Sequence, residues 1–172
     1  MLAEYEQVFA SLGWHAGLVL PRHMGEAWWL MRDGGLQRGA DSLLVSSHAE
    51  GFTAVVLRGG APLYVRGVVC EQEDRADELY RFLLFYRDRT WPQPAEGEEE
   101  APPPPAFGAG IGSLLVAGTG LDEEQARAIV EETLNASPRH VGAADLRLAF
   151  PASQIDFRQI AAPAGLAALA WA

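Results

Sequence analysis

Between Leu43 and Thr90 the chain sets three β runs end to end and follows them with one helix. The runs are Leu43–Ser47, Thr53–Leu57 and Leu63–Val69, built largely from Leu, Val and Thr with Tyr64. Glu50-Gly51 separates the first two, and Arg58-Gly59-Gly60-Ala61-Pro62 separates the second from the third. Breaks this short make antiparallel hairpins, because glycine supplies the turn conformation and nothing longer is available for a crossover. Ala76–Arg89 then places Leu79, Phe82, Leu83 and Tyr86 on one helical stripe. Asp74, Asp77 and Glu78 favour the N-terminal end of that helix.

Ahead of this unit the pattern reads α-β-α. Leu2, Tyr5, Val8, Phe9 and Leu12 follow helical spacing up to Gly13, and Trp14–Leu20 is a short apolar run ending at Pro21. Arg22–Met31 reads as a helix with Met24, Ala27, Trp28 and Met31 on one face, ended by Asp33-Gly34-Gly35. Behind the unit, Trp91–Phe107 holds an acidic run and Pro102-Pro103-Pro104-Pro105. Such a stretch cannot bury apolar surface, so an extended, mobile linker is expected. Ser113–Ala117 then reads as a buried strand ending in Gly118-Thr119-Gly120. A helix from about Asp122 to Asn135 follows, with Asp122 and Gln125 in capping-box spacing. Val141 and Leu146–Phe150 offer a short strand or irregular segment, and Ile160–Trp171 a closing alanine-rich helix. The divisions expected within one domain, 1–172, are 1–35, 40–90, a linker at 91–110, and 111–172 as β-α-β-α. Antiparallel strands followed by alternating helix and strand imply a mixed sheet with helices on its faces.

With 172 residues the chain can bury one proper core, whereas two full domains are not expected. A net charge of −10 argues against nucleic acid, since no arginine stripe is present to neutralise phosphates. Every basic side chain is arginine, which excludes lysine Schiff-base chemistry and a P-loop lysine. Cys70 is the lone cysteine, so neither an intrachain disulfide nor a cysteine zinc cluster can form. No apolar run approaches the ~20 residues of a membrane span, and acids occupy the N-terminal positions where a signal peptide needs positive charge. A cytoplasmic protein without direct membrane insertion is expected.

The ordered pieces resemble one family. Tyr5–Trp14, Leu43-Leu44-Val45, Leu63-Tyr64-Val65-Arg66 and above all Glu78–Tyr86 are similar to the C-terminal half of PilM-type actin-like proteins of type IV pilus assembly. These are related to FtsA and to the cytoplasmic part of the type II secretion L subunit. Leu114–Leu121 resembles the family's adenosine-loop strand and Ala161–Ala167 its closing helix. The resemblance implies an α/β, ribonuclease H-like fold: half of an actin-like ATPase, a mixed sheet with helices on both faces, preceded by the α-β-α block.

It also implies where a nucleotide would sit. The family's turn after the first strand carries an aspartate acting through Mg²⁺ and a glycine that lets backbone N–H groups approach phosphate. Ser46 and His48 stand at those places here. Serine brings no anionic charge, and the histidine side chain crowds a phosphate. Thr53 in the phosphate turn and Gly118, Thr119 and Gly120 in the adenosine loop are the remaining vestigial cofactor-binding positions, for ATP and Mg²⁺ if any binds. The family's other phosphate loop lies outside this chain.

Other chemistry is weaker. Ser46, Ser47, His48 and Glu50 are the residue types of a hydrolytic triad, but strand alternation sends Ser46 and Ser47 to opposite faces. The histidines have no metal-ligand spacing, so no metal site is expected. Trp28 and Trp29 are adjacent on a helix, about 100° apart, which suggests one buried and one exposed at a partner surface. The favoured function is a non-catalytic scaffold or assembly platform of a pilus or secretion inner-membrane machine, peripheral to that membrane through partners. A PilN-like protein is the partner implied, although the family binds that tail on its opposite half. The alternatives are an actin-like ATPase with part of its site elsewhere, and a homodimeric interaction module pairing through residues 1–33.

Overall fold

The computed structural model describes residues 2–15, 19–32, 39–91, 110–148 and 155–171. Three hairpin-linked strands, β1 (Asp41–His48), β2 (Gly51–Arg58) and β3 (Ala61–Val69), form the antiparallel part of one sheet. β4 (Ile111–Ala117) and β5 (Arg139–His140) extend it in parallel from β1, giving the order β3-β2-β1-β4-β5. This is the mixed, ribonuclease H-like sheet expected from the β-β-β-α run. Each strand reaches one or two residues beyond its apolar core because ladder hydrogen bonds continue where hydrophobicity stops.

Alternation along the strands feeds two cores. Leu43, Val45, Phe52, Val56, Leu114 and Val116 face α3 (Arg75–Thr90) and α4 (Glu123–Leu134). Leu44, Val55, Leu57, Leu115 and Ala117 face α2 (Arg22–Arg32) and α5 (Phe157–Ala170). Buried on both sides, β1 and β4 therefore read as continuous apolar runs rather than alternating ones. The stripe expected on α3 is buried as drawn. On α4, Asp122 Oδ1 accepts the Gln125 N–H at 2.7 Å, and Asn135 closes the helix in the left-handed region at φ 48°.

Two expectations for the N-terminal block change. Residues 14, 15, 19 and 20, the described part of the Trp14–Leu20 run, belong to no strand. Of the face expected on α2, Ala27 is buried, Trp28 and Met31 are half-buried against the core and Met24 is exposed, while Gly25, Glu26, Trp29 and Leu30 complete the buried face. Glycine sets that phase, because Gly25 and Gly165 bring the α2 and α5 backbones together. A Cβ on Gly165 would lie inside van der Waals contact of the Gly25 carbonyl. Glu26 can be buried there because Arg22 Nε donates to its Oε1 at 2.9 Å. α5 starts three residues before the apolar run, at a turn where Asp156 accepts the Arg158 N–H.

A polar cluster fastens the far end of β1. Asp41, 1% exposed, accepts two hydrogen bonds from Arg58 at 2.9 and 2.8 Å and one from the Tyr86 hydroxyl at 2.7 Å. Burial, and then the bond to Asp41, push the Tyr86 phenol above its ordinary range. In contrast, Tyr5, Val8 and Phe9 of α1 (Leu2–Ser11) and Leu12 just after it are exposed, with Phe9 stacked on Trp14. The acidic run and tetraproline, the Asp33-Gly34-Gly35 helix stop and the segment 149–150 lie outside the described residues.

Candidate functional site

The parallel pair β1 and β4 ends on one edge of the sheet, which is where ligands bind in open α/β folds. Ser46 pairs with Thr53 on one side and with Ala117 on the other, so three strands meet at this level. Ser46 is 2% exposed, a ladder residue sealed beneath the helices. His48 ends β1 and is half-buried. Gly118 turns the chain out of β4 at φ 80°, and Gly120 follows at φ 102°. A side chain on Gly118 would collide with the Ser47 carbonyl, so the two loops touch through backbone. The structure thus brings Ser46, His48, Thr53, Gly118, Thr119 and Gly120 to one place.

The residue that sequence reading missed sits between them. Arg75, the first residue of α3 and 4% exposed, aims its guanidinium into the gap between the β1–β2 turn and the 118–120 loop. Nη1 donates to the Thr119 carbonyl at 2.7 Å, and Nη2 to the His48 carbonyl at 2.7 Å. Ala49 O lies within weaker reach of Nη2, at 3.4 Å. A cation opposes the positive end of a helix macrodipole, so its position at the start of α3 has a tertiary cause. The local signal was present: Arg75 interrupts Glu71-Gln72-Glu73-Asp74 and Asp77-Glu78.

A second arginine straps the same loop from the other side. Arg158 Nη2 donates to Leu121 O at 2.6 Å, while the Arg158 carbonyl accepts the Gly118 N–H at 2.8 Å. Beside these contacts lies a cavity of about 360 Å³, lined by Gln72, Thr119, Gly120, Asp122, Gln125 and Arg158 among others. A larger hollow of about 680 Å³ lies under the β1–β2 turn, against Glu50, Glu71, Asp74 and Glu78 with Arg81. Its carboxylates come from the α3 entry and, with Glu50, from the turn itself, and this lining repels an anion. Among the described residues, no group of three His, Cys, Asp or Glu side chains is placed to hold a metal ion.

The tryptophans separate as their angular spacing suggests. Trp29 is 4% exposed, donates Nε1–H to Ala161 O at 2.7 Å and meets Phe157 edge-on at 5.9 Å. It is a core residue and not a partner surface, because burial of its indole is matched by that hydrogen bond. Trp28 is half-buried against the same core. Ser47, Ser46 and His48 form no triad: no hydrogen bond joins their side chains among the described residues, and Ser47 Oγ is buried without a partner.

No protein-family model and no curated protein matches the sequence. Among solved structures, a chain of a PilM-PilN type IV pilus biogenesis complex aligns with TM-score 0.66 and 16% identity. That alignment covers 98% of this chain and 57% of the other, so the present chain spans little more than half its length. A Bacteroides thetaiotaomicron protein with actin-like ATPase fold and unknown function aligns at TM-score 0.44 and 13% identity, over 73% of this chain and 42% of that one. Among the described residues, no helix is long and apolar enough to cross a membrane. Over nearly its whole length, then, this chain has the PilM-like, actin-like fold that its β-β-β-α order and flanking residues pointed to.

Proposed function

We propose that this chain is a non-catalytic scaffold or assembly-platform protein of a type IV pilus or type II secretion-like system. The Arg75 guanidinium between the two loops carries the proposal. Recognition of phosphate by a strand-end turn uses backbone N–H groups converging on the anion. Here carbonyl oxygens of His48 and Thr119 converge instead, and the chain's own cation satisfies them. The residues present do not fit a Mg²⁺–phosphate group. The strand-end position that would hold the ion has no carboxylate, since Ser46 and His48 stand where the resemblance puts the acid and the glycine. A divalent ion would also be repelled by the fixed guanidinium beside it.

In this reading the fold is retained for its surfaces, and the partners are protein components of an inner-membrane platform. A PilN-like protein is the first candidate, by likeness to the PilM-PilN complex. The protein would work in the cytoplasm, peripheral to the membrane through those partners. The cavity beside Thr119, Gly120 and Asp122 favours one second reading, a nucleotide-binding protein that still holds an adenosine there.

Titration calorimetry and thermal shift with millimolar ATP–Mg²⁺ separate the two. The scaffold predicts no heat and no shift. Binding at 100 times the dissociation constant would add about 2.7 kcal/mol of stability, and that result would favour the second reading. Pull-down with the purified cytoplasmic tail of a PilN-like protein tests the partner.

A further inference from the structure

We infer that the free edge of β3 is a self-pairing surface, on which a second copy of this chain adds its own β3 antiparallel about Val65. Among the described residues, β3 is the terminal strand of the sheet and nothing covers its edge, which is nine residues long. The direction of its free groups follows from the ladder. The Cys70 N–H donates to Glu50 O at 3.0 Å, continuing the register that pairs Gly51 with Val69. Bonded and non-bonded pairs alternate along an antiparallel ladder. Val68, Arg66 and Tyr64 therefore turn their backbone groups to β2, while Val65, Gly67 and Val69 turn theirs outward. Among the described residues, no backbone hydrogen bond from outside the sheet meets those outward groups.

The usual defences of an edge are thin here. Pro62 lies at the irregularity between Val56 and Leu57, before the outward donors begin. Arg66 is the single charge in Ala61–Val69. Val65 and Val69 expose 55% and 83% of their surface.

The sequence of the strand selects a second copy as the occupant. A two-fold axis through Val65 places Val65 opposite Val65, and Leu63 opposite Gly67. Arg66 then meets Tyr64 of the second copy, a cation over an aromatic ring rather than a like charge. Isologous pairing of this kind closes at two chains. Growth through the opposite edge is not available, because β5 is only two residues long.

The test uses the full chain. Sedimentation equilibrium should show a concentration-dependent dimer. Val65→Pro removes one outward N–H without touching the β2 ladder, and should weaken dimerisation at least tenfold with unchanged far-UV circular dichroism. In a Cys70→Ser background, Val65→Cys should cross-link on oxidation, because its two copies lie about 5.5 Å apart at Cα. Val69→Cys should not, although it is more exposed, because its copies lie about 27 Å apart. Three results would overturn the inference: a monomer at all concentrations, a dimer indifferent to Val65→Pro, or equal cross-linking at Val69. The second of these would move the interface to α1 or elsewhere.

Discussion

Replacing Arg75 by methionine tests the central feature of the site, because methionine keeps most of the apolar stem and removes the guanidinium. Two short hydrogen bonds from a charged donor are lost, to Thr119 O and His48 O, both at 2.7 Å. Each is worth about 1.5–3 kcal/mol, for an upper sum of about 6 kcal/mol. The loss is partly offset, because the wild-type guanidinium is desolvated and its Nε has no partner among the described residues. We expect a net destabilisation of about 3 kcal/mol. With a urea m-value of about 2 kcal/mol/M, the midpoint falls by about 1.5 M. Tryptophan fluorescence reads the transition, and hydrogen exchange should show lost protection at Thr119–Leu121. Arg75→Lys keeps the charge but not the fork, so it should fall between wild type and Arg75→Met. Gly120→Ala should cost less in the Arg75→Met background, because the new Cβ would otherwise collide with Nη1. A midpoint shift below about 0.5 M for Arg75→Met would refute the clamp.

Asp41→Ala leaves the Tyr86 hydroxyl and Arg58 without their shared acceptor, and should cost about 3–5 kcal/mol in chemical denaturation. Tyr86→Phe deletes a single bond to the carboxylate and should cost about 1.5–3 kcal/mol. Gly165→Ala pushes α5 off the Gly25 carbonyl, and overpacking of this type should cost about 1–3 kcal/mol and alter Trp29 fluorescence. His140 supplies a pH dependence. Burial holds its imidazole below the ordinary value despite Glu123 at 3.0 Å, since protonation would place an unpartnered Nε2–H in the interior. The unfolded chain therefore binds the proton more readily, and this contribution to stability is present above about pH 6.5 and declines as pH falls below it. His140→Gln should flatten that part of a stability–pH curve; an unchanged slope would assign it to other groups.

The sheet was legible because its information is local. Alternating or continuous apolar runs and two short turns define β1 to β3 without reference to distant residues. The α3 stripe and the Asp122 cap were legible for the same reason. What escaped notice depends on tertiary partners. Gly25 and Glu26 look like solvent-side residues of α2, and they are buried only because Gly165 allows close approach and Arg22 pairs the acid. Asp41, Arg58 and Tyr86 are 17 and 45 residues apart along the chain, and no spacing rule joins them. For the candidate site, the strand-end positions could be read from the turn after β1. Its occupant could not, except through one arginine in an acidic run.

That arginine changes what a serine at position 46 means for the fold. Two loops that meet at the ends of parallel strands need something to satisfy their inward carbonyls, since buried, unpaired carbonyls each cost about 1–3 kcal/mol. A bound ion or ligand can do so only while it is present, which makes loop order depend on its concentration. A side chain carried on α3 does so at all times. In the proposed scaffold, loop order gains nothing from a nucleotide once Arg75 is seated, and a ligand without differential affinity shifts no equilibrium. The proposed scaffold role follows from that permanence: α3, the β1–β2 turn and the 118–121 loop are held as one surface, with Arg158 fastening α5 to it. Such a surface can present a constant face to a partner, which a nucleotide-gated cleft cannot.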